Sequence, residues 1–204
     1  MDSPVRLNRK ELKRAINIAT DAFMDYPLPG GFVSDSNKRR ITLYEMFKID
    51  FRYSLRHGEI YTLGGDFQEV AVFHSSAKPV SDLKMIPYLS FSSLRLLTSI
   101  SIREFSRLKT AVNEIMKAKA ELDLPPDTAE LYILAVNPIN QGEGRAARLI
   151  RGVLSVLKSC GKSCLVLTNN EKNKAIYEKL GFGIIREIYN PTYELKTYFQ
   201  LMKA

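Results

Sequence analysis

The sequence predicts a mixed α/β domain that contains a strand–helix–strand unit. From Glu130 onward, apolar runs alternate with amphipathic segments in the order strand, helix, strand, helix, strand, strand. A strand–helix–strand unit makes a right-handed crossover between parallel strands. The chain has 204 residues, a length that suits one domain spanning 1–204.

Two helices and two strands are predicted in the N-terminal half. Apolar residues at helical spacing predict a helix over 9–24, which the turn "YPLPGG" ends. A second helix is expected from Ser36 to His57. The runs "EIYTLGG" and "EVAVFHSS" then predict two strands joined by a short Gly-Gly-Asp turn.

A long helical segment separates these strands from the C-terminal half. Residues 78–126 contain apolar positions with a 3.6-residue period, at Leu108, Val112, Ile115 and Leu122, and Pro125-Pro126 close the segment. Because it contains enough apolar residues to pack, we interpret it as a helical insertion rather than a linker.

The C-terminal half supplies the strongest local patterns. "ELYILAVNP" predicts a buried strand, "EGRAARLIRGVLSVLKSCG" a helix, "SCLVLTN" a second buried strand and "KNKAIYEKLGF" a short helix. "GIIREIYN" and "YELKTYFQLMK" predict two final strands, separated by a turn around Asn190-Pro191.

Composition narrows the classes of function. The net charge of +8 could serve a nucleic acid, an anionic membrane or an anionic small ligand. Basic residues are not interleaved with an aromatic platform, which argues against nucleic acid.

No apolar run reaches membrane-spanning length and no secretory signal is visible, so a cytoplasmic protein with no membrane association is expected. Two cysteines, Cys160 and Cys164, and two histidines make a poor zinc site, so no metal is expected.

The turn between the strand at Glu130 and the next helix is rich in small residues. "VNPINQGEGRAARLI" places Gly142 and Gly144 where the helix is about to begin. Glycine allows a close approach to the backbone, and the first N–H groups of a helix lack internal partners. Such a turn can bind phosphate, with Arg145 and Arg148 adding positive charge, or it can simply be a tight turn.

Two motifs in this half resemble signatures of the GNAT superfamily of N-acetyltransferases. The family's acyl-CoA signature, Q/R-x-x-G-x-G/A, is matched by Gln141, Gly144 and Ala146. The segment "NKAIYEKLGF" resembles the family's later motif, matched in order and spacing by Asn173, Tyr177, Gly181 and Phe182. The clear resemblance covers Glu130 to Phe199.

The resemblance implies a GNAT-like acyl-CoA N-acyltransferase fold. In that fold a central, mostly antiparallel sheet with flanking helices contains one parallel pair of strands that splays apart. Here the acyl-CoA-binding core would be 130–182, and the helical insertion would precede the cofactor strand. The insertion departs from the family's minimal layout, and it would shape the acceptor pocket together with the loop "YPLPGGFVSD".

The resemblance also implies acetyl-CoA as the cofactor and a set of site residues. The pantetheine arm would pair with the cofactor strand, a backbone amide near Val136 would polarise the thioester carbonyl, and amides from Gln141 to Ala147 would hold the pyrophosphate. Tyr177 would be the general acid that protonates the leaving thiolate. Asn173 would contact the cofactor or cap its helix. The implied cofactor-binding residues are Leu134, Ala135, Val136, Gln141, Gly142, Glu143, Gly144, Arg145, Ala146, Ala147 and Asn173.

The acceptor side leaves alternatives open. The expected acceptor is a primary amine of a small molecule or peptide, and Glu59, Glu130 and His74 are the candidates for the base that takes its proton. A homodimer is possible, with the final strands and the insertion as its interface. A non-catalytic CoA-binding or sensing module on the same fold is the main alternative function, and a nucleic-acid-binding protein is the second.

Overall fold

One seven-stranded sheet organises the chain in this computed structural model, which describes residues 3–28, 33–76, 82–89, 91–191 and 193–204. The strands in chain order are β1 (Pro4–Arg6), β2 (Glu59–Leu63), β3 (Glu69–Ser75), β4 (Ala129–Val136), β5 (Cys164–Thr168), β6 (Gly183–Asn190) and β7 (Leu195–Met202). Across the sheet their order is β1-β2-β3-β4-β5-β7-β6. Every neighbouring pair is antiparallel except β4 and β5, which run parallel. The predicted fold class is confirmed.

Seven α-helices are described, of which α1, α2, α5, α6 and α7 are longer than one turn. They are α1 (Leu12–Ala22), α2 (Ser36–His57), α3 (Asp82–Met85), α4 (Leu96–Ser99), α5 (Ile102–Ala120), α6 (Arg145–Ser159) and α7 (Glu171–Lys179). Local sequence explains several boundaries. The Asp35 side chain accepts from the Lys38 N–H at 2.8 Å to start α2, and Ser101 with Glu104 forms a capping box that starts α5.

The sheet has a hydrophobic core on each face. On one face, α1 and α2 pack against β3 and β4 through residues such as Ile16, Phe51 and Val72. On the other face, α6 and the end of α7 pack through residues such as Leu149, Val166 and Tyr177. Burying an apolar residue of this size stabilises the fold by about 1.5–3 kcal/mol, so both helical layers hold the sheet that carries the site.

Some elements differ from the sequence prediction. The first strand, β1, was not predicted, because three residues are too short to show an alternating pattern; its Pro4 packs where Gly152 of α6 has no side chain. The predicted 9–24 helix begins as a 3₁₀ turn (Arg9–Glu11) and ends earlier. Leu122 lies beyond the end of α5.

The segment between β3 and β4 is helical where it is described. It contains α3, α4, α5 and two 3₁₀ helices, Ile86–Tyr88 and Phe91–Arg95. Its predicted beginning at Lys78 lies outside the described residues, as do residues 29–32 of the turn predicted after α1. None of the described helices is long and apolar enough to cross a membrane.

Candidate active site

The parallel strands β4 and β5 separate to form a fork. They pair only at Ala129↔Cys164, Glu130↔Leu165 and Leu131↔Val166. β4 continues to Val136 without a partner on this side. At the same point β4 contains a bulge, since Ile133 pairs with Val72 and Leu131 with Phe73, which leaves Tyr132 as the extra residue. The apex of the fork therefore lies at Leu131 and Tyr132.

The fork exposes backbone groups of β4. Asn137 N–H donates to Gln68 O at 2.8 Å, so Asn137 faces β3. Backbone groups alternate in direction along a strand. Val136 and Leu134 therefore present their N–H and C=O groups to the fork, whereas Ala135 turns its groups towards β3.

The loop after β4 turns sharply before α6 begins. Pro138–Asn140 forms a 3₁₀ helix, and Gln141 Nε2 donates back to Val136 O at 3.3 Å. Gly142 and Gly144 have φ angles of 88° and 73°, in the left-handed region that favours glycine. The helix begins at Arg145 with Gly144 as N-cap, close to the predicted start.

Six consecutive backbone N–H groups in this loop lack acceptors. Within the described part of the chain, the N–H groups of residues 142–147 donate to no backbone or side-chain oxygen, and the next bond runs from Arg148 N to Gly144 O at 3.0 Å. These donors lie at the positive end of α6. We call residues 142–147 the amide loop.

The Arg145 side chain does not face an open anion site. Its guanidinium binds three carboxylates: Asp66 (2.8 Å from Nη2), Glu69 (3.1 Å from Nη1) and Glu143 (3.0 Å from Nε). Hydrogen bonds to these carboxylates, that to Asp66 foremost, raise the pKa of Arg145. The backbone N–H of Arg145 therefore remains available to a ligand. The exposed side chain of Arg148 supplies a positive charge near the amide groups at the start of α6.

The start of α7 lies beyond the end of β5. Asn170 caps the helix, and its Oδ1 accepts from Lys172 N at 2.9 Å and from Asn173 N at 3.2 Å. The capping role that we considered for Asn173 therefore belongs to Asn170. Asn173 stands in the first turn of α7, beside the Tyr26 hydroxyl.

Tyr177 is buried, with 5% of its surface exposed. It belongs to the C-terminal cap of α7, where Phe182 N donates to Tyr177 O at 3.1 Å, Gly181 has φ of 92° and the two rings lie 5.7 Å apart. Its hydroxyl donates to no acceptor among the described residues. Burial, reinforced by the nearby Tyr26 and Cys164, raises the pKa of Tyr177, so the phenol keeps its proton at neutral pH.

Tyr26 was not predicted to be a site residue. It follows α1, and its hydroxyl lies 2.8 Å from Thr168 Oγ1 and accepts from Asn169 N at 3.1 Å, at the end of β5. Burial raises the pKa of Tyr26 despite these hydrogen bonds. A tyrosine among prolines in a turn carries no periodic signal, so the sequence did not indicate its place at the mouth of the fork.

Each of the three candidate bases is engaged in another interaction, although His74 and Glu130 are cross-strand neighbours on β3 and β4. Glu59 lies on β2 and binds Arg6 and Tyr61, two strands away from β4. Glu130 is buried and pairs with Lys119 of α5. His74 is buried and its Nε2 lies 3.1 Å from Ser54 Oγ; burial, with the charge of Lys119, lowers its pKa to about 4.

Comparison with known proteins agrees with this geometry. The sequence model of the acetyltransferase (GNAT) family matches residues 110–182, from the second half of α5 to the end of the α7 cap. Residues 110–182 of the chain therefore match a GNAT acetyltransferase domain. Members of this family are transferases that generally use acetyl-CoA and act on amine acceptors. No curated protein sequence matches the chain significantly.

Solved structures show the same fold as this chain. A histone acetyltransferase HPA2 and related acetyltransferase from Corynebacterium glutamicum aligns with a TM-score of 0.67 and 14% identity, covering 100% of this chain and 98% of that one. The arylalkylamine N-acetyltransferase 7 of the yellow fever mosquito aligns with a TM-score of 0.65 and 12% identity, covering 98% of this chain and 86% of that one. The ribosomal-protein-S18-alanine N-acetyltransferase of Escherichia coli aligns with a TM-score of 0.55 and 13% identity, covering 100% of this chain and 94% of that one.

Proposed function

We propose that this GNAT domain transfers an acetyl group from acetyl-CoA to a primary amine of a small molecule or peptide by direct attack of the amine. The observation that carries the proposal is the amide loop, which places six unpartnered N–H groups at the mouth of a fork between parallel strands. Donors in such a row suit a pyrophosphate. A fork with unpaired backbone suits an extended arm that adds to the strand.

The chain offers a consistent donor site. The amide loop would hold the pyrophosphate through the backbone N–H groups of Gly142, Glu143, Gly144, Arg145, Ala146 and Ala147. The Gln141 side chain would fix this loop to β4. The small residues Gly144 and Ala146 permit the close approach. Asn173, beside Tyr26 at the start of α7, would contact the cofactor at the opposite rim.

The pantetheine arm would run along β4 from the amide loop towards the apex. Such an arm passes Val136 first and Leu134 second, because Ala135 turns its backbone towards β3. We therefore propose that the thioester carbonyl lies at the N–H of Leu134, two residues deeper than the position near Val136 that the family resemblance implied. That N–H would stabilise the developing oxyanion.

Tyr177 would protonate the thiolate that leaves. Bound acetyl-CoA would supply the activated acetyl group. The raised pKa of Tyr177 keeps its phenol protonated, which is the state a general acid needs. The whole chain would form a single catalytic domain, with 130–182 as the acyl-CoA core and the helical insertion and the loop after α1 on the acceptor side.

Calorimetric titration with acetyl-CoA tests the donor site. Gly144→Asp would place a carboxylate in the amide loop, and Gly161→Asp is its matched control: Gly161 follows the other end of α6, also has a left-handed φ (66° against 73°), and has equally open space for a side chain. We expect the wild type and Gly161→Asp to bind, and Gly144→Asp to lose binding. Equal binding by all three proteins would place the donor elsewhere.

Transfer is tested separately by thiol release and mass spectrometry with phenethylamine, spermidine and a peptide with N-terminal alanine. Acetylated product supports the enzyme. Acetyl-CoA binding without transfer to any primary amine would instead support the non-catalytic binding module.

A further inference from the structure

The bulge residue Tyr132 carries a polar side chain at the apex of the fork. It is the extra residue of β4, next to the last β4–β5 pair, and 38% of its surface is exposed. Its ring lies edge-on to His74 with the centroids 5.0 Å apart. The backbone of Leu134, where we place the thioester, is two residues away. Tyr132 can therefore be reached by a group that approaches the apex.

The carboxylate of Asp50 contacts the hydroxyl of Tyr132. Asp50 belongs to α2, which covers the face of the sheet opposite to α6. The Tyr132 hydroxyl donates to Asp50 Oδ1 at 3.3 Å. Burial raises the pKa of Asp50 to about 7, with the hydrogen bond from Tyr132 opposing the shift. A carboxylate with this pKa takes up and releases protons readily at neutral pH.

Three further ionisable groups near the apex are paired or uncharged. Lys119 of α5 and Glu130 of β4 form a buried ion pair, so their charges offset each other. His74 of β3 has a lowered pKa and is neutral above pH 4. Tyr132 is the titratable neighbour that acts on Asp50. Asp50 is thus the carboxylate connected to the apex through a hydroxyl.

We propose that Asp50, through the hydroxyl of Tyr132, accepts the proton that the acceptor ammonium group must lose before it attacks; this inference rests on the proposed function. The ammonium N–H bond breaks, Tyr132 oxygen takes that proton and passes its own to Asp50. The amine nitrogen then forms the C–N bond as the C–S bond breaks. Tyr177 protonates the thiolate, and the second amine proton returns to Tyr177. Asp50 releases its proton to solvent before the next turnover.

The decisive variants are Asp50→Asn, which keeps an oxygen acceptor for the Tyr132 hydroxyl but removes the base, and Tyr132→Phe, which breaks the relay. Tyr53→Phe is the matched control, because Tyr53 is a buried phenol of the same cluster, 5.7 Å from the His74 ring, outside the relay. Two acceptors are compared for each protein: the fastest alkylamine of the panel above, which is protonated at neutral pH, and aniline, which is neutral.

For the alkylamine, we expect kcat/KM to fall by about 10²–10⁴-fold in Asp50→Asn and Tyr132→Phe, the range of general base catalysis. For aniline, which has no ammonium proton to lose, the fall should be at least about tenfold smaller. Asp50→Asn should also lose the ascending limb of the pH profile of kcat near pH 7. Tyr53→Phe should retain wild-type behaviour.

An equal loss with both amines, or an ascending limb that persists in Asp50→Asn, would overturn the relay. Titration of each variant with acetyl-CoA separates the two proposals, because wild-type affinity in Asp50→Asn shows that the donor site is intact. Failure of the wild type to acetylate any amine would count against the transfer reaction itself, and the relay would fall with it.

Discussion

Glu69 and Arg145 join the β2–β3 hairpin to the start of α6 through a salt bridge of 3.1 Å between Oε2 and Nη1. Glu69 is fully buried. Its other oxygen, Oε1, accepts from Leu63 N at 3.0 Å and from Thr62 Oγ1 at 3.1 Å. Every hydrogen-bonding oxygen of this carboxylate is therefore used, as a buried charge requires. The same Arg145 holds Glu143 of the amide loop, so one buried residue supports the conformation of the candidate donor site.

Replacing Glu69 by alanine should therefore destabilise the protein. The substitution leaves the Leu63 N–H buried without an acceptor, at a cost of about 1–3 kcal/mol, while the Thr62 hydroxyl keeps its bond to Leu63 O. Urea denaturation should show a lower midpoint with an unchanged slope. Glu143→Ala serves as the control, because Glu143 binds the same guanidinium but is half-exposed. A Glu69→Ala midpoint as high as that of Glu143→Ala would contradict this role.

Tyr177→Phe should lower turnover without unfolding the protein or releasing the donor. The phenylalanine fills the same space against Phe182, and the hydroxyl that it loses has no acceptor among the described residues. If Tyr177 supplies the proton to the thiolate, kcat should fall by at least about 10²-fold while calorimetry gives an unchanged dissociation constant for acetyl-CoA. Because its pKa is raised, activity that depends on Tyr177 should persist as pH rises through the ordinary tyrosine value of 10. A variant with wild-type kcat would reduce Tyr177 to a packing residue.

Tyr26→Phe should loosen the mouth of the fork. The variant loses the hydrogen bonds that tie the segment after α1 to Thr168 and Asn169. We expect a stability loss of about 1–3 kcal/mol, because each of the two lost hydrogen bonds usually makes a net contribution of about 0.5–1.5 kcal/mol, and weaker acetyl-CoA binding. Both are measurable by thermal shift with and without the ligand. Tyr189→Phe, which alters a tyrosine that is 57% exposed on β6, should change neither quantity.

Local patterns predicted the elements that bear the donor site. The apolar run of β4, the glycines at 142 and 144 and the amphipathic α6 are adjacent in the chain, and their conformations follow from backbone preferences that short sequences express. The order of elements from Glu130 onward is therefore confirmed, and α2 has the predicted bounds.

The interactions that complete the site join distant parts of the chain. Arg145 and Asp66 are 79 residues apart, Tyr132 and Asp50 are 82 apart, and Tyr26 and Thr168 are 142 apart. No periodicity encodes such pairs, so the sequence predicts neither the carboxylate partners of Arg145 nor the place of Tyr26. Asp50 did leave a signal. It shares one helical face with Leu43, Phe47 and Ser54, where an acidic side chain among buried residues indicates a special role.

The Asp50–His74 region should give the stability of the protein an unusual pH dependence. His74 has a pKa of about 4 in the folded state against 6.5, so between these values the unfolded state binds more protons and stability rises with pH. Asp50 has a pKa of about 7 against 3.8, so the folded state binds more protons and stability falls as pH rises through that window. The two contributions oppose each other between pH 4 and 6.5.

In Asp50→Asn only the His74 contribution remains, so the free energy of unfolding should increase with pH in this window. In His74→Gln only the Asp50 contribution remains, so the free energy of unfolding should decrease with pH. Each slope should reach at most about 1.4 kcal/mol per pH unit for each proton. Urea titrations across the window check both slopes against Glu187→Gln, which changes an exposed carboxylate on β6 and should follow the wild type. Parallel slopes in the two buried-site variants would show that these groups titrate alike in the folded and unfolded chains.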